Sequence, residues 1–255
     1  MILCILQART TSSRLPGKVL KPLLGQPMLV RQVERVRRSR LINKLIVATS
    51  SDKTDDDLAA VCSKNDIDCF RGDLDDVLDR FYHAAVCHNP DHIVRLTGDC
   101  PLMDPALIDQ LIAYHLKNGF DYSSNTIEPT YPDGLDIEVF RFHCLVKAWQ
   151  EAELPSEREH VTPYIINHSE LFRLGNFKNS EDLSSLRWTV DEKADFELIE
   201  ILFNHFYSLK PDFNKDDILT HIKANPHLMD LNACYQRNEG FLKSLEEDED
   251  YKKGK

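Results

Sequence analysis

Short apolar runs alternate with amphipathic windows along the first half of the chain. Residues 2–6, 44–49, 68–70 and 92–96 are apolar enough to predict buried strands, and residues 27–39, 54–65 and 74–88 between them predict helices. In the window 74–88, Val77, Leu78, Phe81, Ala84 and Ala85 recur at helical spacing, and Pro27 suits the first turn of its helix. Asp104 caps a further predicted helix over 105–117, with Leu107, Ile108, Leu111 and Ile112 on its buried face. Strand and helix in alternation predict an α/β sandwich with a largely parallel sheet. Beyond residue 118 the order changes. Strands are predicted at 121–125, 135–140, 172–176 and 185–190, and helices at 142–152, 157–168, 193–207 and 214–245. The acidic run 246–250 and its lysine tail to 255 read as frayed or disordered.

A length of 255 residues suits one domain, taken here as 1–245 with an acceptor-binding or dimerisation insertion at 118–180. No apolar run approaches the ~20 residues of a membrane span. The first apolar stretch precedes the basic residues instead of following them, so no secretory leader is expected. Seven cysteines without a CxxC pair indicate neither a disulfide framework nor a zinc site, and reduced cytoplasmic thiols are the expected state. The net charge of −11 argues against nucleic-acid binding, which needs extended positive surface. The basic run Arg35, Arg37, Arg38 and Arg40 falls at a helix end, where cations suit the dipole, and is read as solvated.

The charge is unevenly placed. Residues 1–51 hold ten Lys/Arg and one acid, Glu34, while the rest carries 21 bases against 41 acids. The positive excess includes the loop after the first strand, where Arg9, Arg14 and Lys18 stand among Thr10, Thr11, Ser12, Ser13 and Gly17. Guanidinium forks, a lysine point charge, hydroxyls and a glycine that permits close backbone approach are what a polyphosphate requires. The spacing is neither G-x-x-x-x-G-K-[ST] nor G-x-G-x-x-G. A basic loop alone is also what a solvated surface looks like.

Two acids end predicted strands. Asp99, in Gly98-Asp99-Cys100-Pro101, would face the ligand crevice at the carboxyl ends of the strands; the same string is also ordinary turn chemistry. Asp191, in Thr189-Val190-Asp191, ends a strand and precedes a helix, so an N-cap role competes. Two carboxylates from two strand ends also suit Mg²⁺, which takes one or two protein carboxylates and fills its remaining positions with water and phosphate. Basic loop and both carboxylates together point to a nucleoside triphosphate with its metal.

With these residues in place the chain resembles the sugar cytidylyltransferases, the enzymes that make CMP-linked sialic acid and CMP-linked 3-deoxy-octulosonate. Within them it is most similar to the spore-coat polysaccharide biosynthesis (SpsF-type) group. The resemblance rests on Ala8-Arg9-x-x-Ser12-x-Arg14-Leu15-Pro16-Gly17-Lys18, Gly98-Asp99-x-Pro101-Leu102 and Thr189-Val190-Asp191 with Asp195. It extends through Arg71-Gly72 to Arg80-Phe81, Gly134-Leu135-Asp136-x-Glu138 and Glu157-Arg158-Glu159-His160. It implies a Rossmann-like three-layer α/β/α sandwich of the nucleotide-diphospho-sugar transferase type, with a mixed, mostly parallel sheet, in enzymes that are often homodimers. It further implies that Ala8, Arg9, Ser12, Arg14 and Lys18 bind the nucleotide and that Asp99 and Asp191 hold Mg²⁺. Arg71 either contacts the nucleotide or pairs with Asp75 or Asp79.

The implied reaction joins CTP to a sugar hydroxyl, with Lys18 and Arg14 neutralising the departing pyrophosphate. Tyr131, Asp136, Glu138, Arg158 and His160 offer donors and acceptors to the sugar. Arg158 suits the carboxylate of a keto-acid sugar, or else an interface salt bridge; His160 is a general base or a structural residue. Three alternatives stay open: a pyrophosphorylase using another triphosphate, a glycosyltransferase of related fold, and a non-catalytic binding protein.

Overall fold

The first strand runs at the centre of the molecule, and its composition explains why. Leu3, Cys4, Ile5 and Leu6 are all inaccessible to solvent. Side chains alternate across a strand; Leu3 and Ile5 enter one hydrophobic core, Cys4 and Leu6 the other. A strand with helices over both faces must be apolar throughout, which accounts for an unbroken run in place of alternation.

In the computed structural model, which describes residues 1–237 and 239–254, β1 (Ile2–Gln7) lies between β4 (Lys44–Ser50) and β6 (His92–Thr97), parallel to both. A small ribbon, β2 (Pro22–Leu23) with β3 (Gln26–Pro27), stands apart. With β5 (Cys69–Gly72), β7 (Tyr122–Ser124), β8 (Glu138–Arg141) and β9 (Leu174–Asn176), the sheet has the order β5-β4-β1-β6-β8-β7-β9. The first four strands are parallel, β8 is antiparallel to β6 and β7, and β9 is parallel to β7. The expected mixed, mostly parallel sheet is therefore present, and strands from 118–180 extend it from within.

Helices cover both faces. One core takes α1 (Met28–Val36), α2 (Asp56–Lys64), α4 (Pro105–Asn118), α8 (Lys193–Phe206) and α9 (Lys215–Ala224). The other takes α3 (Val77–Val86), α5 (Phe142–Glu151) and α7 (Pro163–Asn167). The short α6 (Pro155–His160) packs on α3 and on α10 (Glu239–Gly254).

Four local expectations are corrected. Residues 185–190 form no strand: their backbone is satisfied by the loop before β8 and by Asp99, through Trp188 N–H to Asp133 O (2.6 Å) and Val190 N–H to Asp99 O (2.8 Å). Only glycine fits where these segments cross, since at Gly134 (φ 102°) a Cβ would lie 2.4 Å from the Thr189 nitrogen. The helix predicted over 157–168 is broken at Val161 (φ 74°), and Pro163, which has no N–H to donate, begins α7. The window 214–245 divides into α9, a 3₁₀ segment (Pro226–Leu231) and α10. Finally, the expected frayed tail is the end of α10, except for Lys255, which lies outside the described residues. Asp248 is buried there and accepts the Ser156 N–H (2.9 Å) and hydroxyl (2.6 Å), satisfying an N-terminal amide of α6 that has no partner within its own helix.

Arg35 also departs from its solvated reading. It is buried and donates to the carbonyls of Leu102, Met103 and Phe213 at 2.9–3.3 Å, its charge over the Phe213 ring. Arg37, Arg38 and Arg40 are exposed, as expected.

Candidate active site

β1 and β6 end side by side, with Gln7 paired to Thr97, so the basic loop and Asp99 leave the sheet together. Gly98 permits this: its N–H binds Gln7 O at 2.7 Å, and a Cβ there would come within 2.9 Å of the Ala8 Cβ. The loop is closed by Gly17 N–H to Thr10 O (2.9 Å), with Gly17 in the left-handed region at φ 68°. Its near end is tied to buried Asp55, whose Oδ1 accepts both the N–H and the hydroxyl of Thr10 at 2.8 Å. Asp55 was not legible as part of the site from its sequence neighbourhood.

Lys18 brings the distant pieces together. Its Nζ lies 2.9 Å from Asp99 Oδ2 and 2.7 Å from Asp191 Oδ1, with only 10% of the side chain exposed. Burial would lower the lysine pKa, but the two carboxylates hold it above its ordinary value and keep it cationic. Burial likewise would raise Asp99; Lys18 and hydrogen bonds from Thr97, Lys18 and Cys100 instead bring it to about 2. Arg14 completes the cluster at 2.8 Å from Asp191 and 3.1 Å from Glu192.

The N-cap position of α8 is held by Glu192, not Asp191. Asp195 Oδ2 accepts the N–H groups of both Asp191 and Glu192 at 2.9 Å, leaving the Asp191 carboxylate to the cleft. Behind it stands Arg187, 8% exposed, meeting both Asp195 oxygens at 2.9 and 3.0 Å, Asp133 at 3.1 Å and Asp191 at 3.3 Å. Burial opposes that guanidinium's charge, but Asp195 and its acidic neighbours hold its pKa above the ordinary value. Nothing in the sequence around Arg187 marks it as the strut of the site.

Two cavities meet at this cluster. One, of about 320 Å³, is lined by the loop (Ala8, Arg9, Ser12, Arg14, Lys18) and by Val77 and Arg80 of α3. The second, of about 520 Å³, is lined by Asp133, Asp136 and Glu138 and by Thr162 and Phe241. Arg14, Thr97, Asp99, His160, Asp191 and Gly240 border both. His160 lies against the Phe241 ring, its Nε2 2.8 Å from Ser244 Oγ, and burial lowers its pKa, so it is neutral near pH 7.

Three residues assigned from the sequence stand outside both cavities. Arg71 pairs, though with Asp56 (2.7 Å) instead of Asp75 or Asp79, and donates to the carbonyls of Ser50 and Asp52. Tyr131 is buried and stacks on Phe177. Arg158 pairs with Asp76 and donates to Trp149 O. Arg80, from the same stretch, does reach the first cavity. It is 2% exposed, and its Nε has no partner among the described residues. Gly72 makes room for it, since a Cβ there would lie 3.0 Å from the Arg80 Cγ.

The sequence profile of the family described as Cytidylyltransferase matches residues 3–250. The spore coat polysaccharide biosynthesis protein SpsF of Bacillus subtilis is 39% identical over 232 residues, covering 88% of this chain and 95% of that protein. The 3-deoxy-manno-octulosonate cytidylyltransferase of Chlorobaculum parvum is 35% identical over 123 residues, 46% of this chain and 47% of its own. Among solved structures, a cytidylyltransferase from Leptospira borgpetersenii superposes with a TM-score of 0.86 at 33% identity, covering 92% of this chain and 99% of that one.

Proposed function

The chain belongs to the cytidylyltransferase family, and on that premise we propose that it transfers CMP from CTP to a sugar hydroxyl, releasing pyrophosphate, in surface polysaccharide synthesis. The observation that carries this reading is the convergence of Lys18, Asp99 and Asp191 where a cavity lined by the basic loop meets a second, polar one. A triphosphate along the loop brings its α-phosphorus to the junction, and a sugar in the second cavity approaches from the other side. Positioning and charge stabilisation then account for the acceleration.

Lys18 and Arg14 bear the charge that grows on the departing pyrophosphate, with Arg9, Ser12 and Arg80 along the rest of the triphosphate. The neutral imidazole of His160 stands at the junction, where it can accept the hydroxyl proton. Asp99 and Asp191 fit Mg²⁺ on the chemistry of the donor set: two hard carboxylates whose oxygens converge on one ammonium position. Bound there, the ion would supply positive charge to the phosphate chain. A keto-acid sugar, the acceptor named for the Chlorobaculum relative, is the acceptor class this reading carries over.

Thermal unfolding with Mg²⁺ and each of CTP, UTP, ATP and GTP tests the donor. CTP is expected to raise the midpoint by mass action. Lys18→Ala is expected to lower pyrophosphate release by at least ~10²-fold, the scale of a lost transition-state charge partner, with the near-ultraviolet circular dichroism unchanged. A midpoint raised by another nucleotide and not by CTP, or full turnover in Lys18→Ala, would overturn the reading.

A further inference from the structure

The C-terminal helix α10 carries none of the strings on which the family resemblance rests, yet it reaches the junction of the two cavities. Its Gly240 borders both, and just before it Arg237 pairs with Asp136 of the second cavity. Ser244, one turn further along α10, is buried between two side chains of α6. Its Oγ lies 2.9 Å from Glu159 Oε2 and 2.8 Å from His160 Nε2. Those two α6 atoms are 3.9 Å apart, beyond hydrogen-bond reach, so the hydroxyl links them.

What each group can offer fixes the direction of these bonds. A carboxylate accepts hydrogen bonds and has none to donate, so Ser244 gives its single proton to Glu159. Gly240 O, at 3.3 Å, is the more distant and uncharged acceptor for that proton. The Ser244 oxygen is then left to accept, and His160 donates to it from Nε2. A neutral imidazole carries one N–H, so Nδ1 is the nitrogen with the free lone pair. No hydrogen bond from a described residue reaches Nδ1, and the ring borders both cavities with 26% of its side chain exposed.

Resting on the function proposed above, we propose that Ser244 and Glu159 are positioning residues that lock His160 as its Nε2–H tautomer, with Nδ1 the base for the acceptor hydroxyl. As the hydroxyl oxygen bonds to the α-phosphorus, its proton passes to Nδ1 and the bond from that phosphorus to pyrophosphate breaks. The electron pair of the broken bond leaves with pyrophosphate. The imidazolium so formed keeps its Nε2–H on Ser244, with the Glu159 charge behind it, until solvent takes the proton. The relay uses neither Asp99 nor Asp191, so it leaves the Mg²⁺ seat as described above and sets no condition on the charge of the sugar.

Long-range ¹H–¹⁵N correlation spectra of the ¹⁵N-histidine-labelled protein distinguish the two neutral tautomers without substrate, and His160→Gln assigns the resonances. Wild type is expected to carry the proton on Nε2, and Ser244→Ala to show both tautomers. The helix stays docked in that variant through Asp248 on Ser156 and Arg237 on Asp136. Pyrophosphate release is followed with CTP, Mg²⁺ and either 3-deoxy-manno-octulosonate or N-acetylneuraminate. His160→Gln is expected to lower kcat by at least ~10²-fold, the scale of a lost general base. Ser244→Ala is expected to lower it by about tenfold, the scale of one oriented hydrogen bond, with KM for CTP unchanged. The double variant is expected to be no slower than His160→Gln alone, because Ser244 acts through the imidazole, whereas a packing role would add its own loss. A wild-type His160 protonated at Nδ1, an unchanged kcat in either single variant, or a slower double variant would overturn the proposal. The wild-type spectrum decides the tautomer even where Ser244→Ala does not fold or neither acid is turned over. Failure to bind CTP in calorimetry would instead sink the function proposed above.

Discussion

Arg187→Met isolates the strut behind Asp191. The guanidinium is buried against a fully buried Asp195, and removing one partner of such a pair costs ~3–5 kcal/mol because the other charge is left uncompensated. Here Asp195 retains the N–H groups of Asp191 and Glu192 and the Asn232 amide, each at 2.9 Å. The expected loss is therefore at the lower end, about 3 kcal/mol. A domain with ~5–15 kcal/mol of stability survives this, so the variant folds with a lower urea midpoint and an unchanged m-value. Asp191 also loses the guanidinium behind it, and CTP affinity in Mg²⁺ should fall by calorimetry. The double variant Arg187→Met/Asp195→Asn removes both charges and should be more stable than the sum of the single losses by at least ~1 kcal/mol. Strict additivity, or a loss in Arg187→Met below ~1 kcal/mol as for a surface pair, would refute the assignment.

Two further expectations concern stability. Asp99 has its folded pKa depressed from 3.8 to about 2, so its contribution is present above pH 3.8 and is lost as the pH falls toward 2; Asp99→Asn should flatten the stability curve across that interval in acid unfolding followed by circular dichroism. Asp248→Ala leaves the buried N–H and hydroxyl of Ser156 unpaired, should cost ~1–3 kcal/mol, and should expose α10 to limited proteolysis.

The chain by itself determined the layers of the sandwich. A strand covered on both faces must be apolar throughout, and a helix covered on one face must repeat its apolar residues near every 3.6 positions. Both constraints are local, so β1, β4 and β6 and the helices after them could be read from residue order. The grouping of the basic loop with the two carboxylates was legible for a similar reason: Arg9, Ser12, Arg14 and Lys18 lie within one loop, and the strings around Asp99 and Asp191 carry a family resemblance.

Tertiary structure decided what depends on contacts far apart in sequence. The acidic tail is helical because Asp248 reaches an α6 amide 92 positions away. Residues 185–190 make no strand because the loop around Gly134 satisfies their backbone first. Arg71, Tyr131 and Arg158 are drawn off to Asp56, Phe177 and Asp76, while Arg80, Arg187 and Arg237 take positions that no spacing announced. A charged side chain pairs with whichever buried opposite charge the fold brings within reach, since leaving either one alone in the interior is costly. Which charge that is depends on the three-dimensional path of the chain, and composition and spacing do not record it.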